Sequence, residues 1–117
     1  EALLAELAVA EDRPSLYLVS DGTGVTSPPH SHATWAVVAG IRGLELNRLY
    51  TRSSGSRTVV KANEVAIGPG QAFVLNADDI HSTQVAGPSA TYHLHLYGRS
   101  LSGLPSFRSR CYTLAEP

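Results

Sequence analysis

The chain has 117 residues, of which 43% are hydrophobic and 16% are charged, and its nine basic and ten acidic residues give a net charge of -1. This length supports one hydrophobic core, so we predict a single domain over residues 1–117, and the composition excludes a disordered segment or a coiled coil. Without a basic field or a long apolar run, we expect neither a nucleic-acid partner nor a membrane partner. A single cysteine, Cys111, cannot form an internal disulfide, so a reducing cytoplasm is the expected location.

The first ten residues, EALLAELAVA, have the pattern of a short helix. Leu3, Leu4 and Leu7 fall on one face at helical spacing, and Pro14 ends the pattern. We therefore predict an N-terminal helix within residues 1–13. Because the chain opens directly on this helix, we expect that it was trimmed from a longer parent protein.

From Ser15 onward, short β-prone runs alternate with turn residues. Eight short strands at regular spacing predict an all-β antiparallel sandwich or small barrel over residues 15–98, followed by a C-terminal tail over residues 99–117. The predicted strands are Ser15–Ser20, Thr34–Gly40, Leu44–Thr51, Thr58–Lys61, Glu64–Ile67, Ala72–Leu75, His81–Val85 and Thr91–Tyr97.

Five histidines lie in this β region, and four of them form two His-x-His pairs. Side chains two residues apart on a strand point to the same face, so His30 converges with His32, and His93 converges with His95. A single pair of this kind is often an ordinary core or surface feature. Two pairs and a fifth histidine, His81, in one small domain favour a metal site.

The context of these histidines resembles the two-part sequence signature of the cupin superfamily. The first part is PPHSHATWAVVAGIRG, in which a His-x-His strand closes on glycine, and the second is IGPGQAFVLNADDIHSTQV, in which a Pro-Gly turn precedes a histidine by about eleven residues. The resemblance covers roughly Pro28 to Gly98. It implies a double-stranded β-helix, or jelly-roll barrel, that holds a metal ion through His30, His32 and His81.

Most cupins add a glutamate about four residues after the His-x-His pair, but here Ala36 or Val37 occupies that place. The expected site is therefore three neutral imidazoles, which suit Fe(II), Ni or Zn and leave the ion its full charge for an anionic ligand such as a thiolate. An alternative site adds the carboxylate of Asp79 to two histidines. Asp78 and Asp79 are otherwise expected to close the turn before the strand.

The missing glutamate narrows the resemblance to the thiol dioxygenases, through the runs PPHSHATWAVVAGIRGLELNRLYTR, DDIHSTQV and HLHLYG. That resemblance implies an Fe(II) enzyme that adds O₂ to the sulfur of a small thiol, giving a sulfinic acid. It also implies a Ser-x-His-x-Tyr strand beside the metal, which His95 and Tyr97 match and in which His93 replaces the serine. The alternative for Tyr97 is a rim tyrosine that packs on Pro105 or Phe107.

The position of a cysteine that crosslinks to tyrosine in some thiol dioxygenases is occupied by Val37, so we expect no crosslink. Arg99 or Arg108 is the candidate for holding a substrate carboxylate, although either is also an ordinary surface arginine. Trp35 is expected on the outer face, in sheet packing or in a homodimer contact. A metal-dependent lyase or a small-molecule sensor barrel remains the alternative function.

Overall fold

The computed structural model describes residues 2–10, 13–52 and 56–114. Its strands form two sheets whose facing sides contact each other, as where the ring of Phe73 meets that of His81. One sheet has the strand order β1-β2-β8-β3-β6 and the other has the order β7-β4-β5-β9. The strands are β1 (Ala2–Ala8), β2 (Ser15–Asp21), β3 (Ala36–Arg42), β4 (Glu45–Arg52), β5 (Thr58–Ile67), β6 (Ala72–Leu75), β7 (Ile80–Val85), β8 (Thr91–Tyr97) and β9 (Thr113–Leu114).

The N-terminal helix predicted within residues 1–13 is wrong, because its described part forms strand β1. Residues Ala2–Ala8 pair antiparallel with β2 along its free edge, with Ala5 opposite Leu18. Alanine, leucine and glutamate favour a helix locally, but an isolated helix this short is marginal. Pairing with β2 satisfies the backbone groups along one side of β1 and along the remaining edge of β2, so the tertiary contact overrides the local preference. Glu1, Glu11 and Asp12 lie outside the described residues.

The other predicted strands occur with small shifts at their ends, and two of them are one element. The runs Thr58–Lys61 and Glu64–Ile67 form the single strand β5. Its register with β4 slips where Leu49 pairs with Asn63 and Tyr50 pairs with Lys61, which leaves one extra residue, Ala62, between them. This is a β-bulge, and it bends the strand without ending it.

Alternation along the strands separates an inner from an outer face of the first sheet. The inner face carries Tyr17, Ala36, Leu75 and Tyr97, which form the apolar core cluster. Side chains alternate along each strand, and opposite residues of an antiparallel pair share a face. The residues that alternate with the core residues along these strands therefore point outward. We call the resulting surface the outer apolar face; it consists of Leu16, Leu18, Val37, Ala39, Val74, Tyr92, Leu94 and Leu96.

The C-terminal segment, residues 99–114, is packed against the barrel. Two short 3₁₀ helices, Leu101–Gly103 and Arg108–Arg110, lead into β9, which pairs in parallel with β5. The backbone of this segment bonds to the chain around the first histidine pair, with Tyr112 N donating to Pro29 O at 2.9 Å and Ser31 N donating to Arg110 O at 3.0 Å. No helix in the described ranges is long and apolar enough to cross a membrane.

Candidate metal centre

His30 and His81 meet because their backbones pair. His81 lies on β7, and His30 forms an isolated antiparallel bridge with it, with N–H···O distances of 2.9 Å in both directions. His30 also bridges to Cys111, so the segment carrying His30 lies between β7 and the C-terminal segment. The two imidazole rings are 4.7 Å apart, centroid to centroid.

His32 reaches the same point by a turn rather than by continuing a strand. Residues 31–35 are not in a strand, and Ala33 has a φ of 58°, which is uncommon for a residue other than glycine. The prediction that the pair converges is confirmed, but its reason is different, since the pair precedes β3 instead of lying on it. The imidazole of His32 lies 5.3 Å from that of His30, in an edge contact, and 5.0 Å from that of His81, in a tilted one.

The three histidines form a group that is able to hold a metal ion, since their ligand atoms all lie within 4.8 Å of one another. Burial lowers the pKa of all three, that of His32 to about 3, so the imidazoles are neutral at physiological pH and their lone pairs are available.

The hydrogen bonds of the group also fit a metal. His30 Nδ1 is 2.8 Å from Pro28 O, and His81 Nδ1 is 3.1 Å from Asn47 Oδ1. Both partners are acceptors, so each Nδ1 carries the proton and each Nε2 keeps a lone pair. Nε2 of His81 is buried without a hydrogen-bond partner among the described residues, so its lone pair is available to a metal ion.

No carboxylate joins the three histidines within the described part of the chain. Ala36, at the place of the usual cupin glutamate, is fully buried in the core cluster. Asp79 closes the turn before β7, where its Oδ2 accepts a hydrogen bond from Asn76 N at 2.7 Å. The structure therefore favours the site of three histidines over the alternative with two histidines and Asp79.

Tyr97 and His95 form a hydrogen-bonded pair next to this group. Tyr97 Oη lies 2.8 Å from His95 Nδ1, and the ring of Tyr97 lies 5.1 Å from that of His32. Burial lowers the pKa of His95 to about 3 and raises the pKa of Tyr97, so both groups are neutral. Tyr97 is thus an interior residue of the site and not a rim residue on Pro105 or Phe107.

A second buried polar group, which the sequence analysis missed, adjoins His81. Asn47 Nδ2 donates to Glu45 Oε1 at 3.2 Å, and Glu45 Oε2 lies 3.7 Å from Nδ1 of His93. His93, predicted at the serine position of the thiol dioxygenase strand, therefore contacts Glu45. Glu45 is only 2% exposed, and burial raises its pKa to about 7.

Arg110, which the sequence analysis did not select, lies beside the three histidines and bonds to the backbone of Ser31, between His30 and His32. Its positive charge contributes to the lowered pKa values of His30 and His32, and its side chain donates to Pro105 O through Nε and to Ser31 O through Nη1. The predicted candidates, Arg99 and Arg108, are both exposed, in the C-terminal segment.

Phe107 and Trp35 are both partly exposed aromatic residues. The ring of Phe107 packs on His30 with centroids 5.1 Å apart, although the side chain is 47% exposed, so it forms part of the covering of the site.

Trp35 is 42% exposed, as expected for the outer side. The amide of Gly98 donates to Trp35 O, and a Cβ at Gly98 would lie 2.7 Å from Trp35 Nε1, so only glycine fits beside this indole.

No protein-family model matches the sequence, and no curated protein matches it. Solved structures do match the fold. The polyketide cyclase RemF from Streptomyces resistomycificus is 18% identical, with a TM-score of 0.73, over 99% of this chain and 74% of that one. A cupin superfamily protein from Desulfitobacterium hafniense is 17% identical, with a TM-score of 0.63, over 86% of this chain and 79% of that one.

The DMSP lyase DddQ from Ruegeria pomeroyi is 17% identical, with a TM-score of 0.67, over 86% of this chain and 48% of that one. At these identities the likeness concerns the fold alone. The chain thus has the cupin fold, with a three-histidine group in its interior. A cyclase and a lyase share that fold, so the reaction must be argued from the site.

Proposed function

We propose that this protein is a non-haem Fe(II)-dependent thiol dioxygenase that oxidises a small thiol of the cysteine or mercapto-acid type. The observation that carries the proposal is the Tyr97–His95 hydrogen bond next to the three-histidine group. In the overall reaction, R–SH + O₂ gives R–SO₂H. Both oxygen atoms are added to sulfur, the thiol hydrogen stays with the product acid, and sulfur loses four electrons, which reduce O₂.

When bound, Fe(II) would supply adjacent positions for the thiolate and O₂, and three neutral ligands would leave its positive charge to favour the thiolate. Burial makes the three imidazoles available as neutral ligands without any competing carboxylate among the described residues. The resemblance to thiol dioxygenases and the donor set therefore agree.

Tyr97 and His95 orient the reactants in this proposal. With the Nδ1 proton on His95, the imidazole donates to Tyr97 Oη, and the phenol hydrogen is left to donate toward a ligand beside His32. The low pKa of His95 and the high pKa of Tyr97 keep the pair neutral, so it acts as a hydrogen-bond donor and not as a charged base.

Arg110 is the proposed partner for the carboxylate of a mercapto acid. Two of its nitrogens are fixed by backbone carbonyls, which orients the guanidinium without neutralising it. Its charge already acts on His32 and Tyr97, the two residues that flank the proposed substrate position. Phe107, in the same segment, shields His30 from water.

The test is oxygen consumption by iron-loaded protein with cysteine, cysteamine and 3-mercaptopropionate, with the product mass measured in parallel. We expect uptake with at least one thiol, equal amounts of O₂ consumed and product formed, and a product heavier by two oxygen atoms. The absence of uptake with all three thiols in protein that retains its iron would refute the proposal.

A metal-dependent lyase, or a sensor barrel without turnover, is the second candidate. Glu45 favours the lyase, because a buried carboxyl with a pKa of about 7 is suited to general acid–base catalysis. Asn47 separates Glu45 from His81, however, and this places the carboxyl behind a ligand instead of beside a substrate. Retained metal without oxygen consumption would favour this candidate.

A further inference from the structure

Four buried polar side chains lie in a row between the two sheets, behind the candidate metal centre. Hydrogen bonds join Glu45 and Asn47 on β4 to His81 on β7, and His93 on β8 lies 3.7 Å from Glu45 without a hydrogen bond. All four residues are almost completely buried. Buried polar groups are costly unless they are satisfied, so a line of four in a domain of this size calls for a reason.

The hydrogen bonds of Asn47 have a direction. A carboxylate is only an acceptor, so an ionised Glu45 requires that the NH₂ group of Asn47 faces it. The carbonyl oxygen of Asn47 must then face His81, and it can only accept, so His81 must carry its proton on Nδ1. In the opposite arrangement, the NH₂ group would face His81 and force the proton onto Nε2, the nitrogen left for the metal.

We propose that Glu45, acting through the amide of Asn47, locks His81 in the tautomer that is protonated on Nδ1 and thereby keeps Nε2 ready for a metal ion. Glu45 and Asn47 are positioning residues in this role, since neither is a member of the three-histidine group. The inference rests on the candidate metal centre that underlies the proposed function, but it does not depend on the reaction catalysed there.

The proposal is tested in the metal-free protein by ¹⁵N NMR of the histidine side chains, which distinguishes the two neutral tautomers. Burial raises the pKa of Glu45 to about 7, so the spectra are recorded well above that pH. We expect His81 to be a single Nδ1–H tautomer in the wild type. Glu45→Gln fills the same space but has both a donor and an acceptor, so it permits both directions and should give a mixture of tautomers.

The exchange variant Glu45→Gln/Asn47→Asp provides the rescue. An aspartate at position 47 is again an acceptor, facing His81 while the new glutamine donates to it, so the single Nδ1–H tautomer should return. Zn²⁺ affinity should fall about tenfold in Glu45→Gln, within the tenfold to hundredfold range typical of groups that orient a metal ligand. It should recover in the exchange variant.

Glu64→Gln is the matched control, because Glu64 is an exposed glutamate that pairs with Arg48 and Lys61. It removes the same charge and should change neither the tautomer nor the Zn²⁺ affinity. A mixed or Nε2–H tautomer of His81 in the wild type would overturn the proposal without any variant. So would a Glu45→Gln protein with an unchanged tautomer or unchanged Zn²⁺ affinity. Neither readout uses iron, thiol or O₂, so failure of the dioxygenase proposal would leave this test intact.

Discussion

Replacing Tyr97 with phenylalanine separates the role of its hydroxyl group from that of its ring. The ring contacts with Tyr17 and His32 remain, while the 2.8 Å hydrogen bond to His95 Nδ1 is lost. Because the site is buried, His95 Nδ1 would be left without a partner. We expect the free energy of unfolding to fall by about 1–3 kcal/mol, the usual cost of orphaning a buried polar group.

The effect of Tyr97→Phe on turnover should exceed what the loss of stability explains. Hydrogen-bonding partners next to a metal centre typically contribute tenfold to a hundredfold, or about 1.4–2.8 kcal/mol in the barrier. We therefore expect thiol-dependent oxygen consumption to drop by that factor in folded Tyr97→Phe protein, with the iron content unchanged. Tyr97 is not a member of the three-histidine group, so the metal should stay.

Tyr17→Phe is the matched control, since Tyr17 is equally buried and its hydroxyl accepts a hydrogen bond from Leu101 N at 2.8 Å. Its loss should cost similar stability but leave turnover within about twofold of the wild type. Equal turnover in both variants would remove the Tyr97 hydroxyl from the mechanism. Loss of iron from Tyr97→Phe would show that the effect is structural.

Four further outcomes are expected. Arg110→Ala should raise the KM for mercapto acids about tenfold to a hundredfold, the worth of a hydrogen bond to a charged group, and leave the KM for cysteamine unchanged. Replacing the exposed Arg108 in the same 3₁₀ helix by alanine should change neither KM value. Equal effects of Arg110→Ala on mercapto acids and cysteamine would contradict a carboxylate contact. Zn²⁺ at about 100 times its Kd should raise the free energy of unfolding by about 2.7 kcal/mol, and alanine at any of the three histidines should abolish most of this gain. The pKa of Glu45 is raised to about 7 in the folded protein, so its contribution to stability is present below the pKa of the unfolded chain and is lost as the pH rises. The free energy of unfolding of the metal-free wild type should therefore fall by about 2–3 kcal/mol relative to Glu45→Gln between about pH 5 and pH 8. Denaturant titrations in which both proteins show the same dependence on pH would refute this. The outer apolar face lies on the four strands β2, β8, β3 and β6, which are about 4.8 Å apart and at most about seven residues long, so it spans about 400 Å², within the range of the largest patch that monomers expose. We expect light scattering to show a dimer that Leu18→Glu converts to a monomer.

The sequence was sufficient to predict the barrel and the three histidines, because those features depend on local patterns. Turn residues at regular intervals delimit the strands, and β6 and β8 have the predicted bounds, Ala72–Leu75 and Thr91–Tyr97. Alternation along β8 also places His93, His95 and Tyr97 on one inner face. The turn at Asp79 follows from the tendency of aspartate to bond to nearby backbone.

Features that depend on distant contacts could not be predicted in this way. Strand β1 has a helical composition and is a strand only because β2 offers a free edge. At the start of β4, alternation would ordinarily place Leu46 inside, with Leu44 just before the strand, yet Glu45 and Asn47 are the buried residues. Glu45 and Asn47 are two and four residues before Leu49, so all three side chains lie on the same face of β4, and Leu49 is paired with His81. This spacing was the available sign that the two polar residues face the interior.

The interior of this barrel has an apolar and a polar part, and the division explains how a small domain holds so many buried histidines. The cluster of Tyr17, Ala36, Leu75 and Tyr97 supplies the packing that stabilises the fold. Beside it, where the ring of Tyr97 meets that of His32, neutral imidazoles and the Glu45–Asn47 pair occupy volume that leucine or valine would fill at less cost. Because burial keeps these imidazoles neutral, acid must destabilise the metal-free protein as the pH falls below the unfolded histidine pKa. An ion bound to the three-histidine group would offset this cost by engaging the lone pairs, so the residues that weaken the metal-free barrel are the ones that would hold a metal.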